Sequence, residues 1–272
     1  MPSFSNRVRA ALARLSYIAL KRASQRMPME LVVPVRARVL VVSPHMDDEV
    51  MACGGSLLLH KQLESKVRVV YVSDSSAGLR DPAAADRMRE TRHAEMTEVR
   101  AVLHLDSVIE LGFPDGKLVS YEREISARLA LELKDFAPTL VFCPFPLDGH
   151  GDHQACAFAL SAAARLAGWR GEVFAYEVWS ALTPNIAIDI GSVVEQKAEL
   201  IRMYTSQMHD RDYASAFIGL SRYRGLAHRV AFAEAFHRCT PKQFSVLAAS
   251  LNSSQSAGAG ASSHQRAGDI AG

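Results

Sequence analysis

Short, wholly apolar runs alternate along this chain with longer stretches whose apolar residues recur every three or four positions. Residues 39–42, Val-Leu-Val-Val, are apolar throughout, as in a strand covered on both faces. Helical spacing follows the Gly54-Gly55 pair through Leu57, Leu58 and Leu63. Residues 67–73 predict a second buried strand. A polar loop with Gly78 and Pro82 then leads to a helix from about 84 to 103. A strand at 108–111, a helix at 121–136, a strand at 139–143 and an alanine-rich helix at 152–167 continue the alternation, followed by a strand at 172–178 and a helix at 193–204. Strand, helix, strand at this spacing predicts an α/β fold with right-handed crossovers and a mostly parallel sheet between helices. With the first and fourth strands adjacent, at a topological switch point, the loops after them would face each other across one crevice.

Those two loops carry the unusual residues. The first strand stops at Pro44, and His45, Asp47, Asp48 and Glu49 follow within five positions, where one cap residue would suffice. A divalent cation would offset the carboxylate repulsion, and imidazole with carboxylate oxygen is an accepted zinc ligand set. The loop after the fourth strand supplies His150 and His153 around the next helix start. Catalytic zinc typically keeps three protein ligands and leaves a fourth place to water. His45, Asp48 and one of the two loop histidines fill that quota. "CGGS" is not G-x-G-x-x-G, and the acids before it would repel a pyrophosphate, so a dinucleotide site is excluded. No nucleic-acid motif is present.

"PHMDDE" at 44–49 and "DGHGDH" at 148–153 resemble the motifs of the LmbE/PIG-L family of zinc-dependent N-deacetylases, close to P-H-P-D-D-E and H-P-D-H. The resemblance implies an LmbE-like, Rossmann-like fold and zinc on His45, Asp48 and His153, with Fe²⁺ also suited to that set. It implies Asp47 as general base, His150, protonated, as acid or oxyanion partner, and Asp152 as the carboxylate that steadies His150. Glu49 is expected to steady the ligands or the helix start. Met46 and Gly151 stand where the family has proline, which predicts looser loops with the chemistry intact. The resemblance runs from about 38 to 207 and includes an R-x-x-E helix with Arg92 and Glu95, and an L-G-x-P-D-G segment with Asp115. In relatives that arginine and aspartate lie near sugar hydroxyls. By local chemistry alone Arg92 and Glu95 are an i, i+3 helix pair and Asp115 a turn residue. The segment "KAELIRMYTSQ" at 197–207 resembles the family's K…Y-x-S-Q ending at Lys197, Tyr204, Ser206 and Gln207, with little weight for chemistry.

The implied reaction is removal of an N-acetyl group from an N-acetylglucosamine-type sugar in a small glycoconjugate, natural product or lipid-linked precursor. The alternatives are an amidase for a larger acyl or thiol conjugate, and a non-catalytic binding protein that kept the fold. The complete Asp47, His150 and metal set argues against the last.

Composition adds three expectations. The first 29 residues hold six basic side chains and no acid, so the rest of the chain is net acidic although the total is +2. Residues 1–35 are accordingly read as a basic helical extension, either packed on the domain or resting on an anionic membrane or partner protein. The domain spans 36–248, with 208–248 placed over the crevice as a substrate-facing wall. Residues 249–272 are too poor in large apolar side chains to offset ordering entropy, which predicts a disordered tail. No apolar run approaches the ~18 to 20 residues that span a bilayer. Four scattered cysteines without a C-x-x-C pair predict a reducing, cytoplasmic setting, and His60, His93, His104, His209, His228 and His237 are read as structural.

Overall fold

The computed structural model describes residues 29–76, 81–208 and 211–249. The basic stretch through residue 28, the tail from residue 250 and His209 lie outside the described residues.

Eight strands form one sheet in the order β1-β7-β8-β6-β5-β2-β3-β4. Their ranges are β1 Glu30–Val32, β2 Arg38–Ser43, β3 Lys66–Ser73, β4 Ser107–Phe113, β5 Leu140–Pro144, β6 Glu172–Tyr176, β7 Ile186–Asp189 and β8 Ala233–Cys239. The helices are α1 Asp48–Gln62, α2 Pro82–Leu103, α3 Glu122–Phe136, α4 Gly151–Ala167, α5 Val194–Met203 and α6 Tyr213–Gly225. All pairs are parallel except those of β8, which runs against both β6 and β7. This is the predicted α/β sheet with helices on both faces.

Strand residues alternate between two cores. Val39, Val41, Val69 and Phe142 face α1, α2, α5 and α6, whereas Leu40, Val42, Val70 and Val141 face α3 and α4. Both sides of β2 and β5 are thus buried, which is why residues 39–42 show no polar alternation. From β2 the chain steps outward to β3 and β4, then returns to place β5 on the other side of β2, with Val39 beside Leu140. The carboxyl ends of β2 and β5 therefore lie side by side at the switch point, and their loops open into one crevice.

Two elements differ from the sequence reading. Residues 30–32, assigned to the basic extension, form edge strand β1 against β7. Within 208–248, residues 233–239 are an internal strand rather than wall or loop. A charge at the buried Glu234 hides β8 from a hydrophobicity pattern. Its carboxylate accepts from Gly55 N (2.8 Å), Ser56 N (2.8 Å), Ser56 Oγ (2.6 Å) and Lys197 Nζ (2.6 Å). The Gly55 and Ser56 amides are available because α1 kinks at Cys53 (φ −134°, ψ 18°). Gly55 is required sterically as well, since a Cβ there would sit 2.7 Å from Ile190 Cγ2. Glu234→Ala leaves the Lys197 charge buried without its counter-ion, so denaturant titration is expected to show a loss of ~3–5 kcal/mol.

Candidate active site

The β2–α1 loop sets Asp47 at φ 142°, ψ −31°, a backbone conformation that costs a residue with a Cβ of order 1–3 kcal/mol. Three contacts hold it there. Glu49 Oε2 accepts from Asp47 N (3.1 Å), Ser75 Oγ accepts from Met46 N (2.9 Å), and Met46 O accepts from Arg92 Nη1 (3.0 Å). Glu49, fully buried, is fixed in turn by the Tyr204 hydroxyl at 2.6 Å. Glu49 therefore steadies the loop beneath the ligands. Met46 does not loosen it: proline has no N–H to give Ser75, so this chain's loop carries a tie that proline would lack.

On the outer side of the loop, His45 Nδ1 and His153 Nε2 lie 3.2 and 3.3 Å from the same oxygen, Asp48 Oδ2. All three residues are buried, and their ligand atoms fall within 4.8 Å of one another. His153 is 0 % exposed, and neither ring nitrogen forms a hydrogen bond. An unmade hydrogen bond on a buried group costs ~1–3 kcal/mol. A cation taking the Nε2 lone pair removes one such cost. Burial alone would raise the Asp48 pKa, but His153 and His45 outweigh it and hold the carboxyl well below its usual range. Two imidazole nitrogens and an ionised carboxylate suit Zn²⁺ or Fe²⁺, so the residues present fit a divalent cation.

The β5–α4 loop completes the site. His150 caps α4, its Nδ1 accepting from Asp152 N at 3.2 Å. That bond leaves the Nε2–H of the neutral ring to face the cavity. Burial, then the charges of His45 and His153, lower the His150 pKa, the same direction as the Nδ1 acceptor role, which belongs to a neutral ring. The Asp152 carboxylate has more partners than expected. Its oxygens accept from Gly116 N (2.7 Å) and Leu118 N (3.0 Å), and Oδ2 lies 3.3 Å from His45 Nε2. It steadies His45, and it serves His150 through its backbone N–H and through a carboxylate oxygen that lies within 4.8 Å of a His150 ring nitrogen. The sequence does not single out a further buried carboxylate, Asp148. Its Oδ1 accepts from His150 N (3.0 Å) and stands 3.5 Å from His153 Nδ1, behind the ligand ring. A carboxylate in that place orients a ligating histidine. Its position within "DGHGDH" was the available signal, but turns use aspartate so often that it read as loop.

A cavity of about 170 Å³ opens over these groups, with Asp47, Arg92, Asp115 and Gln207 among its walls. Arg92 is not a helix ion pair with Glu95. Its Nη1 lies 3.4 Å from Asp47 Oδ2, while Glu95 accepts from Thr205 Oγ1, Ser206 N and Ser206 Oγ. Asp115 sits in a turn with Gly116 at φ +75° and reaches His45 Nε2 at 3.1 Å, so it is both turn residue and cavity wall. The segment 204–207, given little weight for chemistry, braces the site through Tyr204 and Ser206. Lys197 pairs with Glu234 behind α1. Among the remaining described histidines, His60 bonds Ser65 Oγ, His237 approaches Thr183 O, and His93 lies by Glu110 at the surface, which are structural places.

A cation-binding His, Asp, His set beside a buried carboxylate, on two loops at the switch point of a mostly parallel sheet, defines a metal-dependent hydrolase of the α/β class. The sequence model of GlcNAc-PI de-N-acetylases, PIG-L, matches residues 40–164. The solved structure of the conserved protein TT1542 from Thermus thermophilus is 30% identical, covers 74% of this chain and 94% of its own, and superposes with a TM-score of 0.65. Diacetylchitobiose deacetylase of Thermococcus kodakarensis is 27% identical over 189 residues, 62% of this chain and 70% of that protein. 2'-N-acetylparomamine deacetylase of Streptomyces fradiae is 26% identical over 209 residues, 64% of this chain and 75% of that protein. The chain belongs to the PIG-L (LmbE-like) family, whose deacetylases are metal-dependent.

Proposed function

We propose that this protein hydrolyses the acetamide of an N-acetylglucosamine-type sugar, with Zn²⁺ held by His45, Asp48 and His153. The observation that carries the reading is Asp47, a buried carboxylate that faces the cavity beside the ligand set and belongs to neither ligand ring nor helix. A divalent ion in that place supplies a Lewis acid for the carbonyl and makes water more acidic. Asp47 takes the proton of the attacking water, a role that needs its ionised form. His150 Nε2–H donates to the carbonyl oxygen as negative charge gathers there. Asp47 then returns the proton to the leaving nitrogen, so that one amide and one water give acetate and a free amine. Arg92 and Asp115, which line the cavity, are the residues that would bond hydroxyls of the sugar. Relatives named for chitobiose and paromamine substrates support an amino sugar as the bearer. Four free, buried cysteines support a cytoplasmic setting, and no helix among the described residues is long and apolar enough to cross a membrane.

The test is acetate release from a panel of N-acetylglucosaminyl compounds beside their N-butanoyl and N-hexanoyl counterparts. Release of acetate with little or no release of the longer acids is the expected result; the reverse order would make the larger-acyl amidase the correct reading.

The pH dependence has a defined sign. Burial raises the Asp47 pKa to about 7, and Arg92 is the largest influence pulling it down. Activity is therefore lost as pH falls through the Asp47 pKa and the base becomes protonated. In Arg92→Gln that opposing charge is gone, and the acid limb of the kcat/KM profile is expected to move to higher pH. An unmoved limb would separate Arg92 from the base.

A further inference from the structure

We propose that the groove beside the catalytic cavity, between Trp179 and α6, is a second subsite that receives an apolar aglycone on the amino sugar; the assignment rests on the deacetylase reading above. Trp179 and Tyr213 line both the cavity and this groove of about 250 Å³, so the two spaces share a wall. Trp179 is 45% exposed, with its ring centroid 6.4 Å from that of His150 and 6.2 Å from that of Tyr213. A group joined to a sugar held at His150 thus meets the indole first.

The groove is built rather than incidental. Asp148 Oδ2 accepts from Trp179 N (3.0 Å) and Val178 N (3.3 Å), so the buried carboxylate that stands behind His153 also sets the backbone under the indole. Glu177 Oε1 accepts from Arg224 Nε (2.7 Å) and Glu177 Oε2 from Leu182 N (2.8 Å), which locks the loop after β6 to α6, the opposite wall. Both walls are held before any ligand arrives, and a preformed subsite spends less affinity on ordering.

Its lining chooses the occupant. Val178, Ala216, Phe217 and Leu220 make the surface, whereas the catalytic cavity, apart from Met51 and the Trp179 and Tyr213 it shares with the groove, is walled by acids, histidines, an arginine and a glutamine. The two charged residues at the rim are engaged within the fold. Asp212 caps α6 by accepting from Ser215 N (2.9 Å), and the Arg211 guanidinium lies 5.6 Å over the indole ring. A second sugar would bury several hydroxyls here with few partners, at a cost for each. An apolar group has no such cost. An apolar cavity of ~150 Å³ is enough for benzene, so the volume suits one aryl ring or a short alkyl chain.

The experiment compares phenyl and methyl 2-acetamido-2-deoxyglucosides with N,N′-diacetylchitobiose as substrates. Calorimetric binding of the phenyl and methyl glucosaminides, the corresponding products, runs beside it. The phenyl compound is expected to exceed the methyl compound by about tenfold or more in kcat/KM and in affinity, as burial of one ring predicts. Ala216→Glu, at an exposed helix position, and Trp179→Ala are both expected to bring the two ratios toward one. Equal handling of phenyl and methyl compounds, preference for the disaccharide, or ratios unmoved by Ala216→Glu would each overturn the subsite. If no sugar releases acetate, the deacetylase reading fails, and the binding ratio still decides the groove.

Discussion

Asp47→Asn is expected to bind a divalent ion as the wild type does while acetate release falls by about 10²- to 10⁴-fold, the usual worth of a positioned general base. Asparagine keeps the shape and the strained backbone, whose ties run mainly through Glu49, Ser75 and Arg92 to main-chain atoms of residues 46 and 47, and its amide oxygen can still accept from Arg92 Nη1, which lies 3.4 Å from Asp47 Oδ2. What it loses is the ability to accept a proton. A retained metal with lost turnover separates the base from the ligands, which no truncation of the whole loop would do. A loss smaller than tenfold would mean that another group takes the proton.

The second large effect is at His153. Its ring is wholly buried between Asp48 and Asp148, so His153→Ala removes a ligand and opens a polar void. Weakening a residue that only orients a ligand typically costs ~10–100-fold in metal affinity or activity. Removing the ligand itself is expected to cost more, with metal content after dialysis falling below detection and turnover falling with it. Asp148→Asn, which only disturbs the ring's orientation, is expected to stay within the smaller range. Circular dichroism of both variants should match the wild type, because α4 keeps its His150 cap. An alanine variant that retains its metal would remove His153 from the ligand set.

Much of this arrangement was legible in the order of residues, and for a physical reason. Strands buried on both faces are uniformly apolar, so β2, β3 and β5 stood out, and the acids and histidines after β2 and β5 had no structural reason to gather at strand ends. Elements became illegible where one buried charge was neutralised by a residue far along the chain. Glu234 reads as surface until Lys197 and the amides at the α1 kink are seen around it, and β8 vanished with it. The same holds at the site. The roles of Asp148 and Asp152 depend on which ring each carboxylate faces, and spacing within a loop does not state that. Arg92 and Glu95 looked paired at i, i+3, but tertiary partners, the Asp47 loop and Ser206, claimed one each. Tyr204 acts on Asp47 through Glu49, two contacts away from the chemistry, which a motif match could not weigh.

The central claim is that a divalent ion held by His45, Asp48 and His153 and the Asp47 carboxylate together hydrolyse an acetamide. It is tested most directly by titrating metal-stripped protein with Zn²⁺ while recording, at each addition, bound metal and acetate released from an N-acetylglucosaminide. The predicted result is acetate release that rises with bound metal and breaks at about one ion per chain, with His153→Ala flat in both readings and Asp47→Asn binding the ion without release. Full release by the stripped protein, or a bound ion in the wild type with no acetate from any N-acetyl amino sugar, would contradict it.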